Sequence, residues 1–190
     1  MTLLGRLLKN RKAGETHAAW LRPNLQGPDL LTVTSADFGD GGTMPLVQCA
    51  KHVGGADVSP GLAWGPLPAG TAQLLLVVED IDVPLAKPVV HCAALLDPGA
   101  GPLEPGALAK DRPGPGVRLL RSFVGRGYRG PGPIKGHGPH RYVFQLFALA
   151  APLDGTPGGA PVERTRPGAL LSGVTAPVLA RGRLTGVYER

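Results

Sequence analysis

The sequence predicts a mainly β fold, a sandwich of antiparallel sheets with a few peripheral helices. Three observations carry this. Apolar runs of strand length recur along the 190 residues, clusters of glycine and proline separate them, and few stretches hold a helical period. The 29 glycines and 21 prolines approach the share seen in disordered chains, but 43% of the residues are hydrophobic and gather into runs, which points to a turn-rich packed protein.

Taken in order, LLGRLLKNRK (3–12) places Leu3, Leu4, Leu7 and Leu8 on one helical face, with Arg6, Lys9, Arg11 and Lys12 mostly off it. Residues 1–27 read as an amphipathic helical arm and residues 28–190 as one β-sandwich domain. LLTVTS (30–35) reads as a strand, and PLVQCAKH (45–52) as another. TAQLLLVVED (71–80) and PVVHCAALLD (88–97) are apolar runs of strand length between proline-rich bounds. Residues 98–117 form a Pro/Gly-rich connection with one helical turn expected around LEPGALAK, followed by a short strand in VRLLRSF. RYVFQLFALAA (141–151) is the clearest strand, with β-branched and aromatic residues at its start. PGALLSGVTAPVLARG (167–182) has the length of a late helix, kinked or broken at Pro177, and LTGVYE (184–189) closes the fold as a strand.

The net charge of +6 is unevenly spread. Between Asp111 and Asp154 there is no acidic residue, while Arg112, Arg118, Arg121, Arg126, Arg129, Lys135 and Arg141 fall in that stretch. Such a field favours an anionic partner. The basic residues are not interleaved with aromatics and no nucleic-acid-binding signature is present, so a small anion is expected and nucleic acid is not. Cys49 and Cys92 are far apart and in no metal-ligand spacing, as buried free thiols would be, and a cytoplasmic location is expected. No secretory signal is visible, and no stretch is long and apolar enough to span a bilayer. Two roles fit the arm: contact with an anionic membrane surface, or docking on its own domain or on a dimer partner.

Three stretches bring polar groups to strand ends. In EDIDVP (79–84), Asp80 and Asp82 alternate onto one face as the chain leaves an apolar strand. In PVVHCAALL (88–96), His91 interrupts an apolar run, with Cys92 expected on the opposite face. The third, YRGPGPIKGHGPHRY (128–142), is a Gly/Pro-rich loop feeding a strand on which His140, Tyr142, Phe144 and Leu146 share one side. His137 beside it reads as a solvated loop residue or as a further ligand donor.

Together these resemble the phosphatidylethanolamine-binding protein family, in its bacterial Raf-kinase-inhibitor-like branch. Asp80-Ile81-Asp82-Val83-Pro84 is similar to the family's D-P-D-A-P signature, and residues 128–142 to its second, glycine- and proline-rich signature ending in H-R-Y. SADFGDGGTMP (35–45), DVSPGLAWGPLPAGT (57–71) and LARGRLTGVYER (179–190) also match family stretches, so the likeness covers about residues 28–190. The chain departs from the pattern at Ile81, Val83, Gly132 and Ile134, and has Val89 and Val90 where a tryptophan is usual.

The resemblance implies a small pocket for a phosphate-like anion or a phospholipid headgroup, lined by Asp80, Asp82, His91, His140 and Tyr142 with backbone near Gly132 and Pro133. It also implies a cis peptide in the acidic loop, for which the bond before Pro84 is the candidate, a kinase or protease client, and homodimerisation. No cofactor and no metal are expected. Imidazole N–H, phenol O–H and glycine-turn N–H groups would donate to the anion, while the carboxylates would fix histidine tautomers or pair with a ligand's ammonium. The alternative is an enzyme using the same Asp/His/Tyr set for acid/base chemistry, as a cyclase or isomerase would. A metal site built from His91, His137, His140 and the aspartates is a third reading, without supporting spacing.

Overall fold

The computed structural model describes residues 2–153, 155 and 159–190. The chain forms helix α1 (Leu3–Leu8), strands β1 (Val33–Thr34), β2 (Gly42–Thr43), β3 (Ala63–Trp64), β4 (Gln73–Asp80), β5 (Val89–Leu96), β6 (Val117–Leu119), β7 (Arg121–Ser122), β8 (Gly125–Arg126) and β9 (His140–Leu149), helix α2 (Pro167–Ser172) and strand β10 (Val178–Tyr188). The architecture is mainly β with few helices, as expected. A six-stranded sheet of order β2-β10-β9-β4-β5-β6 forms the body, antiparallel except for the short β2–β10 pair. Two small sheets, β1–β3 and β7–β8, accompany it.

The continuous apolar runs of β4, β5 and β9 have a direct cause: both faces of the central sheet are covered. Leu74, Leu76, Val78, Phe144, Leu146 and Ala148 face a core shared with Val33 and Leu62 around the small β1–β3 sheet. Leu75, Val77, Phe147 and Leu149 face a second core closed by Trp20, Leu25, Leu170 and Leu171. Strands buried on two sides lose the polar alternation of a half-exposed strand.

Two polar side chains on the second face have a definite task. Glu79 Oε2 accepts from Ala19 N–H and from Gln145 Nε2, each at 2.8 Å, and Gln145 Oε1 accepts from Trp20 N–H at 2.7 Å. The turn at Ala19–Leu21 thus has its backbone donors satisfied inside the protein. Arg181 and Arg183 lie over the Trp20 ring, 4.0 and 5.0 Å from its centroid.

The N-terminal segment therefore docks on its own domain. Ala13 N–H and Gly14 N–H donate to the carbonyls of Val83 and Ile81, Thr2 binds the Lys135 carbonyl, and Ala18 to Trp20 are buried. Leu3, Leu4 and Leu7 remain exposed on the outer side of α1.

Several local expectations are corrected. The segment 45–52 is two short 3-10 turns, Leu46–Gln48 and Lys51–Val53, and not a strand; the turn bonds Cys49 N–H to Leu46 O and Val53 N–H to Ala50 O take up donors that a ladder would need. LEPGALAK forms turns (Ala107 N–H to Glu104 O, Ala109 N–H to Gly106 O) but no helix. The late helix stops at Ser172. Val178 then begins an eleven-residue strand laid along β9, because the full ladder offers more backbone bonds than a helix broken at Pro177. VRLLRSF splits into β6 and β7. No cis peptide occurs among the described residues, so the bond before Pro84 is trans.

Candidate functional site

The ends of β4, β5 and β9 meet at one corner of the large sheet. Asp80 and Tyr142 are direct cross-strand partners in the β4–β9 ladder, and His140 lies two residues before Tyr142 on the same face. His91 arrives by a different route. The β4–β5 register shifts between Val78↔Cys92 and Glu79↔Val90, which leaves His91 as the extra residue of a β-bulge. The bulge corrects the expectation that His91 and Cys92 face opposite sides. Cys92 lies in the core with Phe144, and His91 also turns to that side, edge-on to Tyr142 with ring centroids 5.3 Å apart.

The polar atoms are nearly all committed. His140 Nδ1 is 2.7 Å from Asp80 Oδ2, His140 Nε2 is 2.7 Å from His137 Nδ1, and His137 Nε2 is 3.0 Å from the Arg11 carbonyl. A carbonyl only accepts, so His137 carries its proton on Nε2 and receives a bond from His140 on Nδ1. His140 then shares its remaining proton position with Asp80. The result is a linear relay, Asp80–His140–His137–Arg11 O, in which His140 has no nitrogen left to offer an anion. His137 is also not a solvated loop residue: it is 1% exposed. The arm residue Arg11 completes the relay through its backbone.

Asp82 is separated from Asp80 in role. Its backbone N–H donates to Asp80 Oδ1 at 2.9 Å, but its own fully buried carboxylate faces Arg141. Arg141 donates from Nε (2.8 Å), Nη2 (3.0 Å) and its backbone N–H (2.9 Å), and Lys12 Nζ lies 3.2 Å away. Burial alone would raise the Asp82 pKa; the Arg141 bonds and charge, with Lys12, outweigh it and hold the carboxyl below its ordinary range. Asp82 therefore clamps the acidic loop to the start of β9.

Two groups stay open. His91 donates through Nδ1 to the Arg129 carbonyl (2.8 Å), so its Nε2 is the one ring nitrogen of the three site histidines without a partner among the described residues. Burial lowers the His91 pKa, against the pull of Asp80, and keeps the ring neutral with Nε2 an acceptor. The Tyr142 hydroxyl is buried and has no close hydrogen-bond partner among the described residues, although the Asp80 carboxylate and the Gly132 N–H lie near enough to act on it. Burial, then the Asp80 charge, pushes its pKa far up, so it is a donor across the physiological range.

The loop 128–139 closes over these groups. Gly132 lies so near His52 that a Cβ there would come within 2.5 Å of the imidazole, and Gly138 has φ +108, open to glycine and costly for other residues. His91, His140 and Tyr142 are 9%, 2% and 1% exposed, so the corner is tightly closed. His52, the Arg129 and Arg11 carbonyls and the Arg141 guanidinium all shape it. The motifs mark the loops, but carbonyl partners leave no mark in a sequence. Among the described residues no group of three or more His, Cys, Asp or Glu is arranged to hold a metal ion.

Residues 34–189 match the family model described as phosphatidylethanolamine-binding protein. A UPF0098 protein of Aquifex aeolicus is 31% identical over 169 residues, covering 86% of this chain and 91% of its own. A Mycobacterium tuberculosis protein named "Putative lipoprotein LppC" is 33% identical over 159 residues, covering 84% and 72%. The "Phomoidride biosynthesis cluster protein B" of a fungal species is 32% identical over 132 residues, covering 65% and 62%. Among solved structures, E. coli YbcL, described as a new member of the mammalian PEBP family, is 26% identical with a TM-score of 0.71 over 84% of this chain and 98% of its own.

The expected cytoplasmic location is overturned by the mycobacterial relative, which carries the name of a lipoprotein. The cysteines that suggested it are poor reporters. Both are fully buried, and burial raises their pKa values to about 11 for Cys49 and about 12 for Cys92, so neither responds readily to a redox environment.

Proposed function

Because the chain belongs to the phosphatidylethanolamine-binding protein family, we propose that it is a binding protein for a small phosphorylated ligand, held by His91, Gly132 and Tyr142 at the corner that Asp80 and His140 back. The observation that carries the reading is the Tyr142 hydroxyl, buried and without a close hydrogen-bond partner among the described residues, with the Asp80 carboxylate the acceptor that acts on it. A buried donor left unpaired is costly, and an oxyanion oxygen would relieve it. His91 Nε2, an acceptor in the neutral ring, asks for a donor. A monoprotonated phosphate group supplies both, an oxygen for Tyr142 and an O–H for His91, whereas a carboxylate supplies only the first. In this role Asp82 and Arg141 hold the acidic loop, and the Asp80–His140 pair backs the phenol. Pro133 and Gly132 belong to the loop that must give way to admit the ligand.

The test is a titration of inorganic phosphate and of phosphoethanolamine into wild type and Tyr142→Phe. A hydrogen bond to a charged group is worth about 1.5–3 kcal/mol, so the variant should bind phosphate about tenfold more weakly or worse. Tighter binding of phosphoethanolamine than of phosphate would name a headgroup as the source. Since burial lowers the His91 pKa in the free protein and a bound anion raises it, binding takes up protons and affinity rises as pH falls toward the histidine range. Equal affinity in the two proteins removes the proposal.

A second reading is acid/base catalysis by the same corner. The continuous Asp80–His140–His137 relay can move a proton without rearranging a side chain, and a relative of this chain carries the name of a biosynthetic-cluster protein. On this reading Asp80→Asn retains ligand binding and abolishes conversion of the bound molecule, followed by mass spectrometry.

A further inference from the structure

A feature that the corner does not account for lies on the opposite face of the sheet. At the end of β4 adjacent residues serve different sides: Asp80 joins the corner described above, while Glu79 reaches a separate cavity of about 720 Å³. Its walls are mostly apolar, built by Val89 and Val90 at the start of β5, Leu171 of α2, and Leu85 and Phe123 at the mouth. Leu85 and Phe123 are 53% and 70% exposed, so the mouth is a hydrophobic patch in its own right.

Four cations ring the same cavity: Arg22, Lys87, Arg121 and Arg166. None of them forms an ion pair among the described residues, whereas Arg118 and Arg181 do. Arg22 reaches Ser172 Oγ through Nη1 (2.9 Å), and its buried Nε has no acceptor among the described residues. The acidic group in the cavity, Glu79, is already bonded to Ala19 and Gln145. Burial raises its pKa against its hydrogen bonds to Gln145 and Ala19 and the nearby Arg22 charge, which weakens any opposition to a bound anion. An apolar chamber of this volume suits one small ligand, and unpaired cations at its rim select an acid.

We propose that this cavity is a second ligand site that takes an anionic amphiphile: a single apolar chain in the chamber, and a carboxylate or phosphate head among Arg22, Lys87, Arg121 and Arg166. The site is independent of the corner at Tyr142, because the sheet lies between them.

The experiment is a titration of the full chain with dodecanoate, dodecyl phosphate and dodecyltrimethylammonium, each below micelle formation, followed by backbone amide shifts. Both anions should saturate one site, with the largest shifts at Val89, Val90, Phe123 and Ala169; the tighter of the two assigns the head group. The Lys87→Glu/Arg121→Glu double variant should weaken them about tenfold. Ala169→Trp, on an exposed position of α2 that lines the cavity, should abolish binding without touching the core. Binding of the cationic amphiphile as tight as the anions, indifference to both variants, or shifts centred on His137 to Tyr142 would each overturn the proposal. So would an acidic peptide of Asp and Glu around one Phe that binds this face more tightly than either anion, which would make it a protein-docking surface.

Discussion

Arg141→Met is expected to lose about 2 kcal/mol of stability at neutral pH in urea unfolding, less than the scale for a fully buried ion pair because the Arg141 side chain is 43% exposed and partly screened by solvent. The reason lies with Asp82, which is fully buried and receives three of its bonds from Arg141. The methionine keeps the aliphatic packing and the backbone N–H but leaves the carboxylate with Lys12, a single ammonium at 3.2 Å in place of a guanidinium that bonds both carboxylate oxygens. The pH dependence has a definite sign. Asp82 is held below its ordinary range in the folded protein, so the stabilisation is full above the unfolded carboxylate pKa and is lost as pH falls through the lower folded value. The gap between wild type and variant should thus be widest near neutrality and close in acid. A loss under about 1 kcal/mol, or a gap that does not change with pH, would mean that the pair does not clamp the loop.

Phe144→Ala should cost more, about 4 kcal/mol by the same measurement, within the usual range for a phenylalanine removed from a closed core. Phe144 is fully buried at the centre of β9 and packs against Phe38 (centroids 5.9 Å) and Tyr128 (6.5 Å). Two neighbours from distant loops rest on it, so the site can collapse only by moving the loop that begins at Tyr128. The variant should therefore also loosen the cover over His91 and Tyr142, visible as faster amide exchange in residues 128–139. Phe144→Leu keeps much of the volume and should lose less than half as much. A cost under about 1.5 kcal/mol would show a core able to close over the gap.

The legible parts of the fold were those written in local pattern. TAQLLLVVED, PVVHCAALLD and RYVFQLFALAA became β4, β5 and β9, as their short length and their proline- and glycine-rich bounds favour doubly covered strands over buried helix. The segment after Pro167 was legible only in part. Six residues do form a helix and LTGVYE lies in the final strand as expected, but the strand starts already at Val178 and gains a ten-pair ladder with β9 that no local propensity records. The same holds at the site. The face shared by His140, Tyr142 and Phe144 followed from strand alternation, but the face of His91 did not, because a bulge shifts the register and periodicity does not announce it.

By itself, then, the sequence determined the strand-rich class, the family likeness and the loops that would meet. The tertiary structure alone decided what each side chain does there. Asp80 and Asp82, two residues apart, were expected to line one pocket. The fold gives one to His140 and the other to Arg141, partners about sixty residues away. It likewise gives Glu79 to a cavity on the other side of the sheet. A sequence states which face a strand residue occupies. Which partner waits on that face depends on register, bulges and backbone carbonyls brought in from elsewhere, and these exist only once the chain has folded.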